Sequence, residues 1–343
     1  MLVILLALGL WLLGWGFGTP KATRWMAVAA LWAAVVLLHL LLPEGYALRQ
    51  TVGGDARSWG VLGVVFVGLL GYKLLISKLK SRSMVVAPTS NTGAFLPAEL
   101  DRYARHIMLR EIGGPGQRRL KDARVLVIGA GGLGAPALLY LAASGVGVIG
   151  VIDDDLVEAS NLQRQIIHTE QRRGMAKVQS AEIAMRALNP FVEVRPYHRR
   201  LTPEIAESLL ADYDLILDGS DNFATRYLVN RLAAKLSKPL ISGAITQWEG
   251  QLGLYDPARG GPCYECVFPT EPAPGMVPTC AEAGVAAPLP GVIGAMMAME
   301  AVKHITGAGT SLRGRLMIHD ALYGETRMII TKPRAGCPAC GAN

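Results

Sequence analysis

Three observations predict an α/β protein in which a doubly wound, mostly parallel sheet follows an apolar N-terminal segment. Short apolar runs alternate with helical patterns between residues 99 and 305, which is the order expected of a parallel sheet crossed by helices. A glycine-rich turn at 129–134 joins a buried strand to a helix, the Rossmann-like layout that brings backbone N–H groups against phosphate. Residues 1–80, by contrast, hold most of the apolar excess of a chain that is 51% hydrophobic.

The first eighty residues are interpreted as a membrane anchor with three transmembrane helices. Apolar stretches at Leu2–Phe17, Trp25–Leu42 and Trp59–Ile76 are each about long enough to cross a hydrocarbon core of ~30 Å. The first lacks a positive n-region and a clear cleavage site, so a retained span is favoured over a signal peptide. None carries Asp, Glu or Arg at its centre, which argues against a transporter. We expect an anchor over residues 1–80, a linker over 81–98 and a catalytic domain over 99–343.

The charge of the chain divides at the same place. Residues 1–83 carry eight Lys/Arg and two Asp/Glu, whereas the remainder carries 26 and 25. The basic balance therefore belongs to the N-terminal segment, and no nucleic-acid partner is expected. Lys/Arg residues between the first two apolar stretches and after the third predict, by the positive-inside rule, a multi-pass protein of the inner or plasma membrane. The same rule places the catalytic domain in the cytoplasm.

The elements of residues 99–343 are predicted in chain order from periodicity and from turn residues. Helices are expected at 99–112, 135–143, 177–188, 203–210 and 291–305, strands at 125–128, 148–152, 192–196 and 213–218, and a hairpin at 240–255. Gly113–Gly116 is predicted to end the first helix. Because ligands of such sheets bind beyond the carboxyl ends of the strands, the glycine turn, Asp153 and Asp221 are expected to converge on one crevice.

The glycine turn alone does not distinguish NAD from ATP as the nucleotide. Arg164 and Lys177 add fixed cations to the predicted crevice, and Asp221 adds a carboxylate. A reaction that expels pyrophosphate requires such groups, because charge develops on the leaving group and Mg²⁺ must be held. A hydride-transfer site has little need of them, and no Tyr-x-x-x-Lys pattern is present. ATP is therefore favoured.

Residues 99–343 resemble the bacterial ubiquitin-activating-like adenylyltransferases, the MoeB, ThiF and HesA family. The resemblance rests on two Cys-x-x-Cys pairs and on ordered motifs at 102–106, 129–134, 153–155, 160–165, 174–177 and 218–222. It implies an enzyme that uses ATP to adenylate the C-terminal glycine of a ubiquitin-like sulfur-carrier protein ending in Gly-Gly, with release of pyrophosphate. The sulfur would serve thiamin, molybdopterin or related biosynthesis.

The resemblance also implies roles for individual residues. Gly132 and its neighbours would cradle the phosphates and Asp153 the ribose, while Asp221 would hold Mg²⁺. Arg105 would reach the site from the second protomer of a homodimer. Asn161, Arg164 and Lys177 would contact phosphates. The remaining residues assigned to the nucleotide site by the same match are Gly129, Gly131, Leu133, Gly134, Asp155, Ser160, Leu162, Gln163 and Asn222.

Five cysteines lie near the C-terminus. Four thiolates in two Cys-x-x-Cys pairs suit a closed tetrahedral Zn²⁺ site, which is the structural zinc of the family; two separate redox pairs are the alternative. These four are Cys263, Cys266, Cys337 and Cys340. Cys280 is the fifth, either a residue that links covalently to the carrier, as in some relatives, or an ordinary thiol in a mobile loop. The chain ends three residues after Cys340, so an external protein is expected to donate the sulfur.

Three other functions stay open from the sequence. The same fold could adenylate a small molecule or a tRNA base, or it could be an NAD-dependent oxidoreductase. A membrane scaffold without chemistry is the non-enzymatic alternative. The presence of Arg105, Arg164, Lys177 and Asp221 argues against the scaffold.

Overall fold

The computed structural model describes residues 2–43, 46–83, 94–273 and 283–341, with the side chains of residues 4, 67, 70 and 73–83 excepted. The chain divides into two compact units, Met1–Ala87 and Pro88–Asn343. Each is described by itself. Cys280 lies outside the described residues, and its predicted covalent role stays a prediction.

The first unit is helical, and one of its helices is suited to crossing a membrane. Its helices are α1 (Leu2–Gly16), α2 (Lys21–Leu41), α3 (Ala47–Val52) and α4 (Ala56–Ser83). Within the described residues, only α2 is both long and apolar enough to span a bilayer. The prediction of three spans is thus corrected to one. Helix α1 has 15 residues and rises only about 22 Å, while the apolar described part of α4 ends at Phe66.

The second unit is built on an eight-stranded sheet with the order β3-β2-β1-β4-β5-β6-β7-β8. Strands β1 to β5 run parallel, and β6 to β8 extend the sheet in antiparallel fashion. The strands are β1 (Arg124–Ile128), β2 (Val148–Ile152), β3 (Glu193–Tyr197), β4 (Leu215–Asp218), β5 (Leu240–Ile245), β6 (Glu249–Tyr255), β7 (Arg315–Asp320) and β8 (Glu325–Ile330). The predicted doubly wound, mostly parallel α/β sheet is confirmed.

Helices cover both faces of this sheet because successive residues of the central strands point to opposite sides. Val125 and Val127 of β1 pack into one apolar core with α7 (Gly134–Ser144), α8 (Lys177–Leu188) and α12 (Leu289–Thr306). Leu126 and Ile128 pack into a second core with α9 (Pro203–Ala211) and α10 (Phe223–Lys235). The two cores hold β1 and its glycine turn between them.

The helical region before β1 differs from the prediction. A single helix over 99–112 was expected, but α5 (Pro97–Ile107) ends earlier and α6 (Gly113–Asp122) begins at the glycines expected to end it. Gly113 has φ +59°, which turns the chain, and Pro115 follows in the first turn of α6. Proline is favoured in a first turn because its missing N–H has no intrahelical acceptor there. The Gly-Gly-Pro-Gly segment therefore starts a second helix.

Candidate active site

The glycine turn follows β1 and packs tightly against the start of α7. Gly129 has φ +91°, a left-handed conformation that favours glycine. A Cβ on Gly134 would lie 1.9 Å from the Gly129 carbonyl oxygen, so only glycine permits this close contact. A Cβ added to Gly131 would contact no backbone atom, since its nearest neighbour would be Gln165 Nε2 at 3.6 Å. The turn is thus close-packed at Gly129 and Gly134 and open at Gly131, whereas a Cβ on Gly132 would lie 3.1 Å from Pro290 Cβ.

A cleft of about 1310 Å³ lies beyond the carboxyl ends of β1, β2 and β4. Ten of the predicted nucleotide-site residues line it: Gly129, Gly131, Gly132, Leu133, Asp153, Asp155, Arg164, Lys177, Asp221 and Asn222. The predicted convergence of strand-end residues is therefore observed. The cleft walls do not include Gly134, Ser160, Asn161, Leu162, Gln163 or Arg105. Arg105 lies exposed on α5, and no described residue pairs with it.

Asp153 is held by the backbone of its surroundings. Its Oδ2 accepts a hydrogen bond from Ala130 N (2.7 Å), and its Oδ1 accepts one from Asp155 N (2.8 Å). Burial raises the pKa of this carboxyl, while the two backbone N–H groups act in the opposite direction. The carboxylate is thereby oriented in the lining of the cleft, where its remaining lone pairs can accept hydroxyl donors.

Lys177 opens α8 and forms the closest ion pair of the cleft. Its ammonium lies 2.7 Å from Asp155 Oδ2, and its backbone N–H donates to the Asp155 carbonyl at 2.9 Å. The lysine side chain is buried, whereas the Asp155 side chain is 65% exposed. An ammonium has three donors, so a phosphate oxygen can bind Lys177 beside Asp155 or in its place.

Arg164 extends into the cleft from the turn after a short 3₁₀ helix, Ala159–Asn161. Its guanidinium donates to Asn161 Oδ1 (3.1 Å) and to the Ser160 carbonyl (3.3 Å). Asn161 therefore contacts the arginine in this structure, and its direct contact with phosphate stays a prediction. Ser160 and Asn161 thus hold the guanidinium through these two hydrogen bonds.

The sequence predicts no role for two buried side chains near the cleft, Arg226 and His168. Arg226 of α10 lines the cleft and donates to the Ser220 carbonyl (2.7 Å), the Gly243 carbonyl (3.0 Å) and Ser242 Oγ (2.9 Å). Asp218 accepts from Ser220 and Ser242 in the same network. These bonds fix the loop that carries Asp221.

Asn222 is the N-cap of α10. Its side chain accepts a hydrogen bond from Thr225 N (2.9 Å), which accounts for a polar residue at this position.

His168 is the second of these two buried side chains. It is 5% exposed, and its ring nitrogens contact Ala130 O and Ser180 Oγ, each at 2.9 Å. Burial, together with the charges of Lys177 and Arg172, lowers its pKa to about 4. The imidazole is therefore neutral at neutral pH.

The four paired cysteines form one cluster although 70 residues separate the two pairs. The Sγ–Sγ distances are 3.7 Å for Cys263–Cys266, 3.6 Å for Cys263–Cys337 and 3.6 Å for Cys266–Cys340. A tetrahedral ion with metal–sulfur bonds of about 2.3 Å requires sulfur–sulfur edges of about 3.8 Å, so the cluster fits one metal ion. The alternative of two separate redox pairs does not fit this arrangement. Tyr264 and Phe268, in and after α11 (Tyr264–Val267), join the cluster to the cleft wall.

The fold and the cleft together define a nucleotide-binding α/β protein of the Rossmann-like class. Residues 103–339 match the ThiF family, and the chain belongs to that family. It is similar to the sulfur carrier protein adenylyltransferase of Thermus thermophilus, with 49% identity over 71% of this chain and 91% of the relative. It is also 46% identical to the SAMP-activating enzyme E1 of Haloferax volcanii, over 71% of this chain and 89% of the relative.

One further relative is longer than this chain, and solved structures support the fold. The probable adenylyltransferase/sulfurtransferase MoeZ of Mycobacterium tuberculosis is 50% identical over 70% of this chain, but the match spans only 62% of MoeZ. The structure of E. coli MccB with ATP aligns with a TM-score of 0.59 at 24% identity, over 70% of this chain and 74% of MccB. That of PaaA aligns with a TM-score of 0.61 at 24% identity, over 84% and 91%.

Proposed function

We propose that this chain is an ATP-dependent adenylyltransferase that activates the C-terminal glycine of a ubiquitin-like sulfur-carrier protein. The carrier carboxylate attacks the α-phosphorus of ATP, a carboxyl–phosphate bond forms, the α–β phosphoanhydride bond breaks, and pyrophosphate leaves. The observation that carries the proposal is one cleft lined by the glycine turn, Asp153, Arg164, Lys177 and Asp221. The names of the relatives from Thermus thermophilus and Haloferax volcanii support it.

The chemistry of this cleft suits attack by a carboxylate. A carboxylate is ionised at neutral pH, so no general base is needed to create the nucleophile. The requirements are position and the stabilisation of negative charge on phosphate, which fixed cations supply. His168 is buried behind the glycine turn and accepts no proton at neutral pH, since its pKa is lowered to about 4. The site is accordingly rich in cations and places no histidine in the attack.

The nucleotide is proposed to bind as the family resemblance implies. Gly131, where the turn is open, would approach the phosphates together with Gly132 and Leu133, with Gly129 and Gly134 shaping the turn. Asp153 would hold the ribose, and Arg164 and Lys177 the phosphates. Asp221 would bind Mg²⁺, which neutralises the pyrophosphate leaving group. The residues proposed to complete this site or to support it are Asp155, Ser160, Asn161, Leu162, Gln163 and Asn222.

The cysteine cluster is proposed to hold a structural Zn²⁺. The sulfur–sulfur distances of 3.6–3.7 Å match a closed site, and such a site leaves no open position for catalysis. Cys263, Cys266, Cys337 and Cys340 would each supply one thiolate. Zinc would then fasten the C-terminal segment to α11, which forms part of the cleft wall.

The assembly is proposed as a membrane-anchored homodimer. Arg105 is exposed, lies outside the cleft of its own protomer, and would complete the site of the partner. Helix α2 supports an anchor. The proposed organisation is an anchor within residues 1–80 that includes α2 as its spanning helix, a linker over 81–98 and a cytoplasmic domain over 99–343. A separate protein would donate the sulfur, and Cys280 is a candidate for a covalent link to the carrier.

ATP–pyrophosphate exchange tests the proposed activity. Detergent-solubilised full-length protein, MgATP, labelled pyrophosphate and candidate Gly-Gly carriers should give exchange only when a matching carrier is present. Asp221→Ala should abolish the exchange, whereas Asp212→Asn, which alters an exposed carboxylate outside the cleft, should not. Exchange that persists in Asp221→Ala would overturn the assigned role of that residue. AMP formation without any carrier would favour a small-molecule substrate.

A further inference from the structure

One peptide segment of the glycine turn is held by a side chain at each end. Asp153 Oδ2 accepts a hydrogen bond from Ala130 N at 2.7 Å, and His168 Nε2 contacts Ala130 O at 2.9 Å. Because a carbonyl oxygen only accepts, Nε2 carries the proton and donates it. Ala130 is fully buried between Gly129 and Gly131. Two side chains distant in sequence thus fix a segment that its glycine neighbours would otherwise leave free to rotate.

The hydrogen bond to Ala130 O also sets the direction of a neighbouring N–H group. The Ala130 carbonyl and the Gly131 N–H belong to one planar trans peptide unit, and they point in opposite directions. Holding the carbonyl toward His168 therefore holds the Gly131 N–H away from it. Gly131 lines the cleft. The imidazole, which lies outside the cleft lining, can thereby determine how the turn presents this donor.

The other edge of the imidazole contacts the helix that carries Lys177. His168 Nδ1 lies 2.9 Å from Ser180 Oγ, and Ser180 is one turn from Lys177 on α8. Arg172 donates to the Ser180 carbonyl (2.9 Å) and lies 3.5 Å from its hydroxyl oxygen. The serine hydroxyl therefore donates to Nδ1, the acceptor of a neutral imidazole. His168 connects the glycine turn to the lysine helix.

We propose that His168 is a positioning residue for ATP, which sets the orientation of the Gly131 N–H relative to the Lys177 ammonium. The proposal rests on the proposed ATP-dependent reaction. His168 contacts Ala130 and Ser180 rather than the reacting atoms, so it acts through the turn. Its removal should weaken ATP binding selectively and leave binding of the carrier unchanged.

Three substitutions distinguish the effect of losing the hydrogen bond to the turn from the effect of losing the volume of the ring. The amide of His168→Gln reaches the position of Nε2 and retains a donor to Ala130 O. The amide of His168→Asn reaches only the position of Nδ1 and retains the Ser180 contact. His168→Phe keeps a ring and loses both bonds. We expect the Asn and Phe variants to raise the KM for ATP about five- to tenfold, the effect of one hydrogen bond, and the Gln variant to stay within about twofold of wild type.

The experiment is ATP–pyrophosphate exchange by the full-length enzyme, with ATP and carrier varied in turn. An unchanged KM for ATP in His168→Asn, or equal losses in all three variants with the KM for carrier rising as well, would overturn the positioning role. If the Phe variant does not fold, the Gln and Asn pair decides the question. Absence of exchange in wild type would contradict the proposed function. Equilibrium binding of ATP to the same variants would then test the role of His168 separately. A wild-type protein that binds no ATP would overturn both proposals.

Discussion

Lys177 illustrates at the scale of one residue how the cleft combines burial with charge. Its ammonium is buried and pairs with the exposed Asp155 at 2.7 Å. Lys177→Met keeps the length of the side chain and removes the cation that would stabilise charge on the departing pyrophosphate. We expect carrier-dependent exchange to fall about 100-fold. Lys235→Met, which removes an exposed lysine paired with Glu207, is the matched control and should retain exchange.

His168 gives a pH dependence of stability whose sign follows from its lowered pKa. Its pKa is about 4 in the folded protein, against 6.5 as the ordinary value. Between these two pH values His168 is protonated in the unfolded chain but neutral in the folded protein. Its contribution to the free energy of unfolding is therefore complete above pH 6.5 and is lost as the pH falls toward 4. Lys177 and Arg172 both face the ring and oppose its protonation.

We therefore expect the free energy of unfolding of wild type to decline over this range by at most about 3 kcal/mol from this residue. His168→Phe has no proton to bind at this position and should show a smaller decline. Chemical denaturation at a series of pH values measures both. Parallel profiles for the two proteins would contradict the assignment.

The sequence predicted those site residues that directly follow a strand or open a helix. The glycine turn and Asp153 come immediately after β1 and β2, and Lys177 is the first residue of α8, so strand and helix periodicity together with the glycine motif located them. The same patterns did not identify His168 or Arg226. Their hydrogen bonds reach backbone atoms of Ala130 and Gly243, which are distant in sequence and come close only when the sheet forms.

At the scale of elements, two glycines at the junction of β1 and α7 are expected to have different roles: Gly134 permits close packing, and Gly131 leaves room for phosphate. In Gly134→Ala, the Cβ would lie 1.9 Å from the Gly129 carbonyl, so the helix or the turn must shift. We expect a loss of about 1–3 kcal/mol in the free energy of unfolding, as for other overpacked sites. In Gly131→Ala there is room in the fold, but the added methyl obstructs approach of phosphate. That variant should keep its Tm and lose ATP affinity, and equal Tm losses in both would contradict this distinction.

The cysteine cluster links α11 to the C-terminal segment. If one Zn²⁺ occupies it, elemental analysis should find one zinc per chain in wild type and less than half of that in Cys337→Ser. Chelation should lower the Tm and should also weaken ATP binding, because Tyr264 and Phe268 line the cleft. Full ATP affinity and an unchanged Tm in zinc-free protein would contradict a structural metal.

Elements with strong periodicity were predicted well, and elements formed by tertiary context were not. The hairpin of β5 and β6 and helices α7, α8 and α12 lie near their predicted positions. Strands β7 and β8 were missed: all six residues of β8 are exposed, so it shows no alternation of buried and exposed positions to detect. The start of α6 was missed because Gly-Gly-Pro-Gly is also typical of a helix end.

At the scale of the whole molecule, the proposed dimer makes a complementation prediction. If Arg105 acts in the partner's cleft, a mixed dimer of Arg105→Ala and Asp221→Ala contains one site with both defects and one intact site. Each variant alone is expected to be inactive, and random mixing of the two should restore about a quarter of wild-type exchange. If Arg105 acts within its own protomer, every site keeps one defect, and mixing should restore nothing.

The central claim is that this protein forms an acyl-adenylate on a ubiquitin-like carrier, and the intact mass of the carrier tests it most directly. After incubation with enzyme, MgATP and pyrophosphatase, a carrier ending in Gly-Gly should gain the mass of AMP less one water. A carrier that lacks the two glycines should be unchanged, and the intact carrier should gain this mass about 100-fold more slowly with the Lys177→Met enzyme. Consumption of ATP while the carrier keeps its original mass would contradict the account.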